Sequence, residues 1–296
     1  MEENMKERGK RLEKLYSIDG LKPVEKPIVL AEIGSGHPIV AVTSAMHGDE
    51  ETGAYIIDAL RRTIKPEKGT VRLIVANPPA LFRDVRFIAE DLNRAFPGEV
   101  GRQGEAGLAP QILELVKDSD FTIDLHTTSS PTESFAILGE KGKERLELGE
   151  KTGIQKIVLI EAKKAMVEFV KCGIGIELGL HNSEYAYEQG MQAVQRVLKS
   201  LEVAEGQGDQ ERINHEYYQV FGSVPIPSLL PVHIVDSLRN FSLVARGDII
   251  AHIDGNKEPI TAEESFYSLF VGEKAYKDIC LKARRISREE MLGDRR

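Results

Sequence analysis

Tryptophan is absent from this 296-residue sequence, and there are only two cysteines, Cys172 and Cys280. Two thiols so far apart supply neither the close pairs of a zinc ribbon nor the dense framework of a disulfide-stapled secreted domain. They are expected to be reduced, with Cys172 a small core residue rather than a nucleophile, since no histidine pairs with it in the sequence. No apolar run approaches the roughly 18 residues of a membrane-spanning helix. The opening segment Met1–Lys14, MEENMKERGKRLEK, is charged throughout and has no apolar centre that could serve as a signal peptide. A cytoplasmic protein without a membrane partner is therefore expected. Basic residues are in deficit, with 39 Lys and Arg against 47 Asp and Glu for a net charge of −8. That argues against a general nucleic-acid binder, which needs a basic footprint. It leaves room for a local pocket of opposite sign.

What is present is ordinary for a globular chain: 41% apolar and 29% charged residues, enough at this length for a sizeable core. The runs Pro27–Glu32 and Pro38–Thr43, separated by Gly34-Ser35-Gly36, predict a hairpin. The Gly-Ser-Gly turn is no dinucleotide fingerprint, because the third glycine is missing and no helix follows. Helical spacing predicts helices over Ala54–Ile64, Leu108–Val116 and Glu184–Leu201, the last with Ala186, Met191, Val194 and Val197 as its buried stripe. Short apolar runs predict strands at Val71–Ala76, Phe121–Leu125, Lys156–Ile160 and Gly173–Leu178, with an irregular polar stretch from Asn77 to Gly98. Strands alternating with helices imply an α/β layer with a mixed, largely parallel central sheet. The polar segment Glu202–Asn214 reads as a linker. After it come strand-like runs at Tyr217–Phe221, Val232–Val235, Ile249–Ile253 and Phe266–Phe270. The expected division is an α/β domain over 1–204 and a smaller β-rich domain over 205–296.

Four groups of residues carry possible chemistry. His47-Gly48-Asp49-Glu50 ends a strand and begins a helix, so His47 and Glu50 lie on one face of a turn and can reach one cation; a capping Asp49 beside a surface Glu50 is the plain alternative. His126 follows a strand, and Asp124 alternates onto its side; taken alone, a histidine there is more often a hydrogen-bonded structural residue than a ligand. Arg86 to Arg94, RFIAEDLNR, gathers two arginines, an amide and carboxylates without helical period, as a carboxylate clamp or a solvated loop would. Glu177 stands alone in the apolar strand GIGIELG. Burying a carboxylate is costly unless it is paired, and burial raises its proton affinity, which suits a general acid or base.

Taken in order, HGDE, RFIAEDLNR, DLH and GIGIELG resemble the zinc carboxypeptidase-like fold, and within it the aspartoacylase and succinylglutamate desuccinylase family. The segment Leu269–Tyr276, LFVGEKAY, resembles the C-terminal part of that family, where an aromatic residue returns toward the site. The resemblance implies that His47, Glu50 and His126 hold one zinc ion per chain. It implies that Glu177 activates water and then protonates the leaving amine, and that Arg86 polarises the scissile carbonyl. Asn93 and Arg94 then clamp the substrate carboxylate, Tyr276 adds a contact, and Asp91 orients His47. Asp49 stands where asparagine is commoner, and Thr127 where the aspartoacylase branch tends to have asparagine. Val167 stands in the place of that branch's arginine for a second carboxylate, with Lys163 and Lys164 nearby.

The remaining histidines have plainer readings. His37 belongs to a loop, His215, His233 and His252 are structural, and His181 either lines the pocket or belongs to the loop before the next helix. The expected function is a zinc-dependent amidohydrolase removing an acyl group from an N-acyl amino acid or a related small carboxylate, with homo-oligomerisation left open. Its alternatives are a metallocarboxypeptidase acting on short peptides and a non-catalytic binding module of the same fold.

Overall fold

The computed structural model describes residues 2–161, 164–205, 213–227, 231–255 and 258–293. Helix α1 (Glu2–Tyr16) is followed by β1 (Ile28–Ser35), β2 (Ile39–Ser44), α2 (Thr52–Thr63), β3 (Gly69–Val75), α3 (Pro78–Arg83), α4 (Glu105–Val116) and β4 (Phe121–Thr128). Then come β5 (Phe135–Leu138), α5 (Lys143–Lys151), β6 (Lys156–Leu159), β7 (Gly173–Leu180) and α6 (Glu184–Ser200). The last part holds β8 (Glu216–Pro225), β9 (Val232–Ile234), β10 (Leu243–Val244), β11 (Ile249–Ile253), β12 (Ile260–Thr261), β13 (Phe266–Leu269), β14 (Asp278–Ile286) and α7 (Arg288–Leu292).

Among the described residues, eleven strands form one sheet in the order β1-β3-β2-β4-β7-β5-β6-β8-β14-β13-β10, and β12-β11-β9 form a small second one. Strands β3, β2, β4 and β7 run parallel, as do β5, β6 and β8. The remaining pairings in the large sheet are antiparallel. This is the mixed α/β architecture, with a parallel centre and a β-rich C-terminal part, that the alternation of elements predicts. The C-terminal strands β8, β14, β13 and β10 extend the large sheet itself, while the segment 206–212 of the expected linker lies outside the described residues.

The hairpin expected at Gly34-Ser35-Gly36 does not form. Strand β3 lies between β1 and β2, antiparallel to the first and parallel to the second. The physical reason lies in burial. Every residue of β2 is buried, which suits a central strand covered on both faces, whereas β1 is partly exposed along its length and takes the edge. Gly34, at φ +90°, makes the crossing possible, since a Cβ there would stand 2.3 Å from the Gly69 carbonyl oxygen.

Other differences are of extent. Strand β4 continues to Thr128, so His126 lies within it rather than past its end. The stretch after Asn77 contains α3, whose first turn is capped by the Asn77 side chain. Strands β5 and β14 and helices α5 and α7 arise where no element was expected. Met191 is half-buried, and Gly190, Ala193 and Leu198 complete the buried face of α6. The main core packs α2, α5 and α6 against the sheet through Ile56, Ile57, Leu60, Val42, Leu125, Ile176 and Val197. A separate aromatic cluster, Phe135, Tyr218, Phe270 and Leu281, joins the centre of the sheet to its C-terminal strands. No helix among the described residues is long and apolar enough to cross a membrane. Both cysteines are buried free thiols.

Candidate active site

The parallel run β2-β4-β7 sends three carboxyl ends to one edge of the sheet, where functional side chains of such folds gather. His47 follows β2, Glu50 precedes α2, and His126 lies in register with Glu177 on the neighbouring strand. All four are buried, with relative exposures of 3%, 3%, 5% and 9% in that order. Ligand atoms of His47, Glu50 and His126 lie within 4.8 Å of one another. Glu50 is the centre of the group. Its Oε1 is 2.7 Å from His47 Nδ1, its Oε2 is 3.0 Å from His126 Nδ1, and it accepts from the Thr127 amide at 3.2 Å.

The far nitrogen of each imidazole meets a carboxylate. His47 Nε2 is 3.1 Å from Asp91 Oδ1, and His126 Nε2 is 2.8 Å from Asp124 Oδ2. Asp124 is itself fixed by the Thr43 hydroxyl at 2.7 Å. Carboxylate–imidazole pairs of this kind set the ring orientation of metal-ligating histidines. The donors present, two imidazoles and a carboxylate with anchored outer partners, fit a divalent cation of the zinc type. Electrostatics point the same way. Burial alone would depress the His47 and His126 imidazoles, yet Glu50, with Asp91 at one ring and Asp124 at the other, outweighs it and raises both. Burial would raise the Glu50 carboxyl, but the two imidazoles hold it well below the usual range. A cation placed here would replace protons as the positive partner of this acidic cluster.

Glu177 differs from these groups. Its Oε2 is buried without a hydrogen-bond partner. Its carboxyl is pushed up to about 8, by burial first, and then by Glu50 and Glu273 against the opposing pull of the nearby histidines. Such a group holds and releases a proton near neutral pH.

The segment between α3 and α4 brings up the cationic side. Arg86 Nη2 is 3.0 Å from Asp91 Oδ2 and 3.0 Å from His47 Nε2, and Nη1 is 3.4 Å from Glu50 Oε1. Burial opposes its charge, but Glu50 and Asp91 more than restore it. Asn93 accepts from the Met166 amide at 3.1 Å, which turns its NH2 group toward His126 at 3.5 Å. Arg94 has no carboxylate ion pair among the described residues and stands beside Tyr276. Tyr276 lines the same cavity, and its phenol is pushed up to about 12, by burial first.

Several supporting residues carry no local sequence signal. Glu105, at the start of α4, accepts from the amides of Ile88, Ala89 and Glu90 and so shapes the 86–94 segment. Arg11 of α1 donates to the carbonyls of Gly48 at 3.2 Å and Leu81 at 2.7 Å, and pairs with Glu51 at 2.6 Å. It therefore ties the first helix to the turn carrying His47 and Glu50. Gly48 packs against α3 so tightly that a Cβ would lie 2.0 Å from the Ala80 carbonyl carbon. Asp124 did have a signal, its alternation with His126, although its bond to the ring nitrogen is visible only in three dimensions.

His181 bonds the Thr127 hydroxyl at 2.7 Å in the turn after β7 and does not line the cavity. His37 pairs with Asp120 at 2.6 Å on the surface. His215 meets the Ile154 carbonyl, and His233 meets Asp254. Val167 is buried and lines the cavity, while Lys163 lies outside the described residues.

The C-terminal segment is held to the site by a buried carboxylate. Glu273 accepts from the Ser129 amide at 2.8 Å and its hydroxyl at 2.6 Å, just past the end of β4. Glu273→Ala is expected to lower stability by about 1.5–3 kcal/mol, the usual worth of hydrogen bonds to a charged group, and to raise KM by loosening the segment that carries Tyr276. Urea unfolding and steady-state kinetics check both. An unchanged KM would mean that the segment does not shape the site.

A sequence profile of the succinylglutamate desuccinylase/aspartoacylase catalytic domain matches residues 37–203. The chain belongs to this family. A succinylglutamate desuccinylase of Idiomarina loihiensis is 22% identical over 278 residues, covering 81% of this chain and 80% of the relative. An N-acyl-aromatic-L-amino acid amidohydrolase (carboxylate-forming) of Rattus norvegicus is 24% identical over 284 residues, covering 82% and 89%. Among solved structures, murine aminoacylase 3 matches with a TM-score of 0.70 at 21% identity, over 85% of this chain and 97% of that one. A succinylglutamate desuccinylase/aspartoacylase from Rhodobacter sphaeroides matches with a TM-score of 0.69 at 23% identity, over 86% and 87%. At such identities these neighbours establish the zinc carboxypeptidase-like fold. The family segment spans all four motifs from His47 to Glu177 and stops well before Tyr276.

Proposed function

We propose that this protein is a zinc-dependent amidohydrolase that removes the acyl group from an N-acyl amino acid. The observation that carries the reading is the juxtaposition at the edge of β2-β4-β7. Three ligand-type side chains converge, the outer nitrogens of the two imidazoles anchored on carboxylates, beside a buried Glu177 carboxylate with a partnerless oxygen. Membership of a family whose relatives include a desuccinylase and an amidohydrolase supports it.

His47, Glu50 and His126 would hold the cation. When bound, a divalent cation lowers the pKa of a water molecule and polarises the carbonyl oxygen. Glu177 takes one proton from the attacking water as its oxygen bonds to the carbonyl carbon. It returns that proton to the nitrogen as the C–N bond breaks, leaving an amine and a carboxylic acid, which loses its remaining proton to solvent. Arg86, fixed by Asp91, places a guanidinium where negative charge develops on the carbonyl oxygen. Arg94 and the Asn93 amide receive the substrate's carboxylate, with Tyr276 closing the same cavity. Residues 1–204 supply this machinery, and residues 205–296 supply Tyr276 and one wall.

The test is a comparison of N-acyl amino acids with short peptides on zinc-loaded protein, alongside a metal assay. About one zinc per chain and faster cleavage of N-acyl amino acids are expected. Preference for peptides would make the protein a metallocarboxypeptidase, and neither zinc nor hydrolysis would make it a binding module.

A further inference from the structure

The cavity at the metal-type cluster has a volume of about 370 Å³ and reaches well beyond the residues that would do the chemistry. It runs over the sheet from β7 past β5 and the end of β6 to β8 and β14. Its wall there is made by Ile137, Ile160, Val167, Val220, Phe270 and Leu281. Three strand spacings separate β7 from β8, roughly 14 Å along the sheet, so this apolar arm of the cavity lies to one side of the cluster.

The charge inventory decides what the arm accepts. Among the described lining residues the cations are Arg86 and Arg94. Arg86 is engaged by Asp91 and Glu50, which leaves Arg94 to receive one carboxylate. The other charged groups on the wall are acids, including Glu168 and Glu273. Glu168 accepts from the Lys164 amide at 2.8 Å, and Glu273 accepts from Ser129. A second carboxylate in the arm would be buried against aliphatic side chains and like charges, with no fork-shaped donor to meet it, and such burial is expensive. An aliphatic or aromatic group gains there instead, in proportion to the apolar area it removes from water.

We infer that the substrate carries a single carboxylate, held at Arg94, and that its remaining bulk is an uncharged apolar group seated in the Ile137–Ile160–Val167–Val220–Phe270–Leu281 arm. This rests on the amidohydrolase reading and names the substrate class for it. The apolar group can belong to the acyl part or to the amino-acid side chain, and the experiment separates the two.

The zinc-loaded protein is assayed with N-acetyl-leucine and N-acetyl-phenylalanine, with N-hexanoyl-glycine and N-benzoyl-glycine, and with N-acetyl-aspartate and N-succinyl-glutamate. The fastest apolar substrate is expected to exceed both acidic ones in kcat/KM by at least roughly tenfold. Whether the first or the second pair leads says which part of the molecule fills the arm. An acidic substrate in first place overturns the inference. Val220→Phe, which fills the arm from β8, is expected to lower kcat/KM for the best apolar substrate more than for N-acetyl-glycine. An equal loss on both would also overturn it. The Glu177→Gln protein is titrated with N-acetyl-leucine and N-acetyl-aspartate by calorimetry, so that the preference is read without turnover. If no amide is cleaved but the apolar ligand binds more tightly, the amidohydrolase reading fails and the arm assignment stands. Tighter binding of the aspartate ligand overturns the assignment. Lys163→Ala is included in the kinetic series. A selective loss on the acidic substrates would show that this lysine supplies a cation to the arm, and would count against the inference.

Discussion

Glu177→Gln is expected to lower kcat by about a thousandfold, within the range that general acid–base catalysis supplies, while zinc content stays at wild-type level. Glutamine keeps the size and shape of the side chain, so packing in β7 is preserved. It cannot take a proton from water, and the transfer to the leaving nitrogen is lost with it. Stability should move the other way. The wild-type carboxylate has an oxygen buried without a partner, and Glu50 and Glu273 raise the cost of its charge. With its carboxyl raised to about 8, this group must be protonated when the metal-stripped protein folds at neutral pH, a cost that glutamine does not carry, so Tm should rise. Lower activity with higher stability is the signature of a residue kept for chemistry at the expense of the fold. Calorimetric melting in a chelator and single-turnover kinetics with zinc check the two halves. A Gln variant with wild-type turnover would remove Glu177 from the reaction, and one with a lower Tm would mean that the carboxylate is a structural partner.

The contrast between Glu177 and its surroundings explains how the candidate cluster could be picked out of the sequence, alongside the α/β fold class that the alternation of elements gave away. A lone acid between Ile176 and Leu178 conflicts with its own strand, and such conflicts mark functional positions. His47 with Glu50, and Asp124 with His126, are close in the chain, so turn and strand geometry alone bring each pair together. What joins the pairs is the parallel register of β2, β4 and β7, and no local pattern states it. The hairpin expectation failed for the same reason. Gly34 and Ser35 still belong to β1, and its partner arrives more than thirty residues later as β3. Strand β14 was missed because Lys282, Arg284 and Arg285 interrupt its apolar alternation, and its burial comes from pairing with β8. Arg11, Glu105 and Glu273 are charged residues in polar surroundings as far as the sequence goes. Only the folded chain shows that each ends on a backbone group or side chain near the centre.

Removing the metal is expected to have the other large effect, and two outer carboxylates make its consequences separable. Chelation should reduce hydrolysis to background, and added zinc should restore it. At zinc concentrations about a thousandfold above Kd, the bound cation should contribute about 4 kcal/mol to stability. Asp124 touches His126 and the Thr43 hydroxyl, so on the proposed mechanism its part is to hold one imidazole in place. Asp124→Asn should weaken zinc binding by about 10- to 100-fold, and excess zinc should recover most of the activity. Asp91 holds His47 and also both Nε and Nη2 of Arg86. Asp91→Asn should therefore lose zinc affinity to a similar degree and retain a kcat defect at saturating zinc, because the freed guanidinium no longer points at the carbonyl. Competition with a chromophoric chelator gives the affinities, and kcat at saturating zinc gives the remainder. If zinc rescues the two variants equally, Arg86 does not need Asp91 to act. If neither variant changes zinc affinity, the two carboxylates do not orient the ligands, and the His47–Glu50–His126 group loses its strongest structural support as a metal centre.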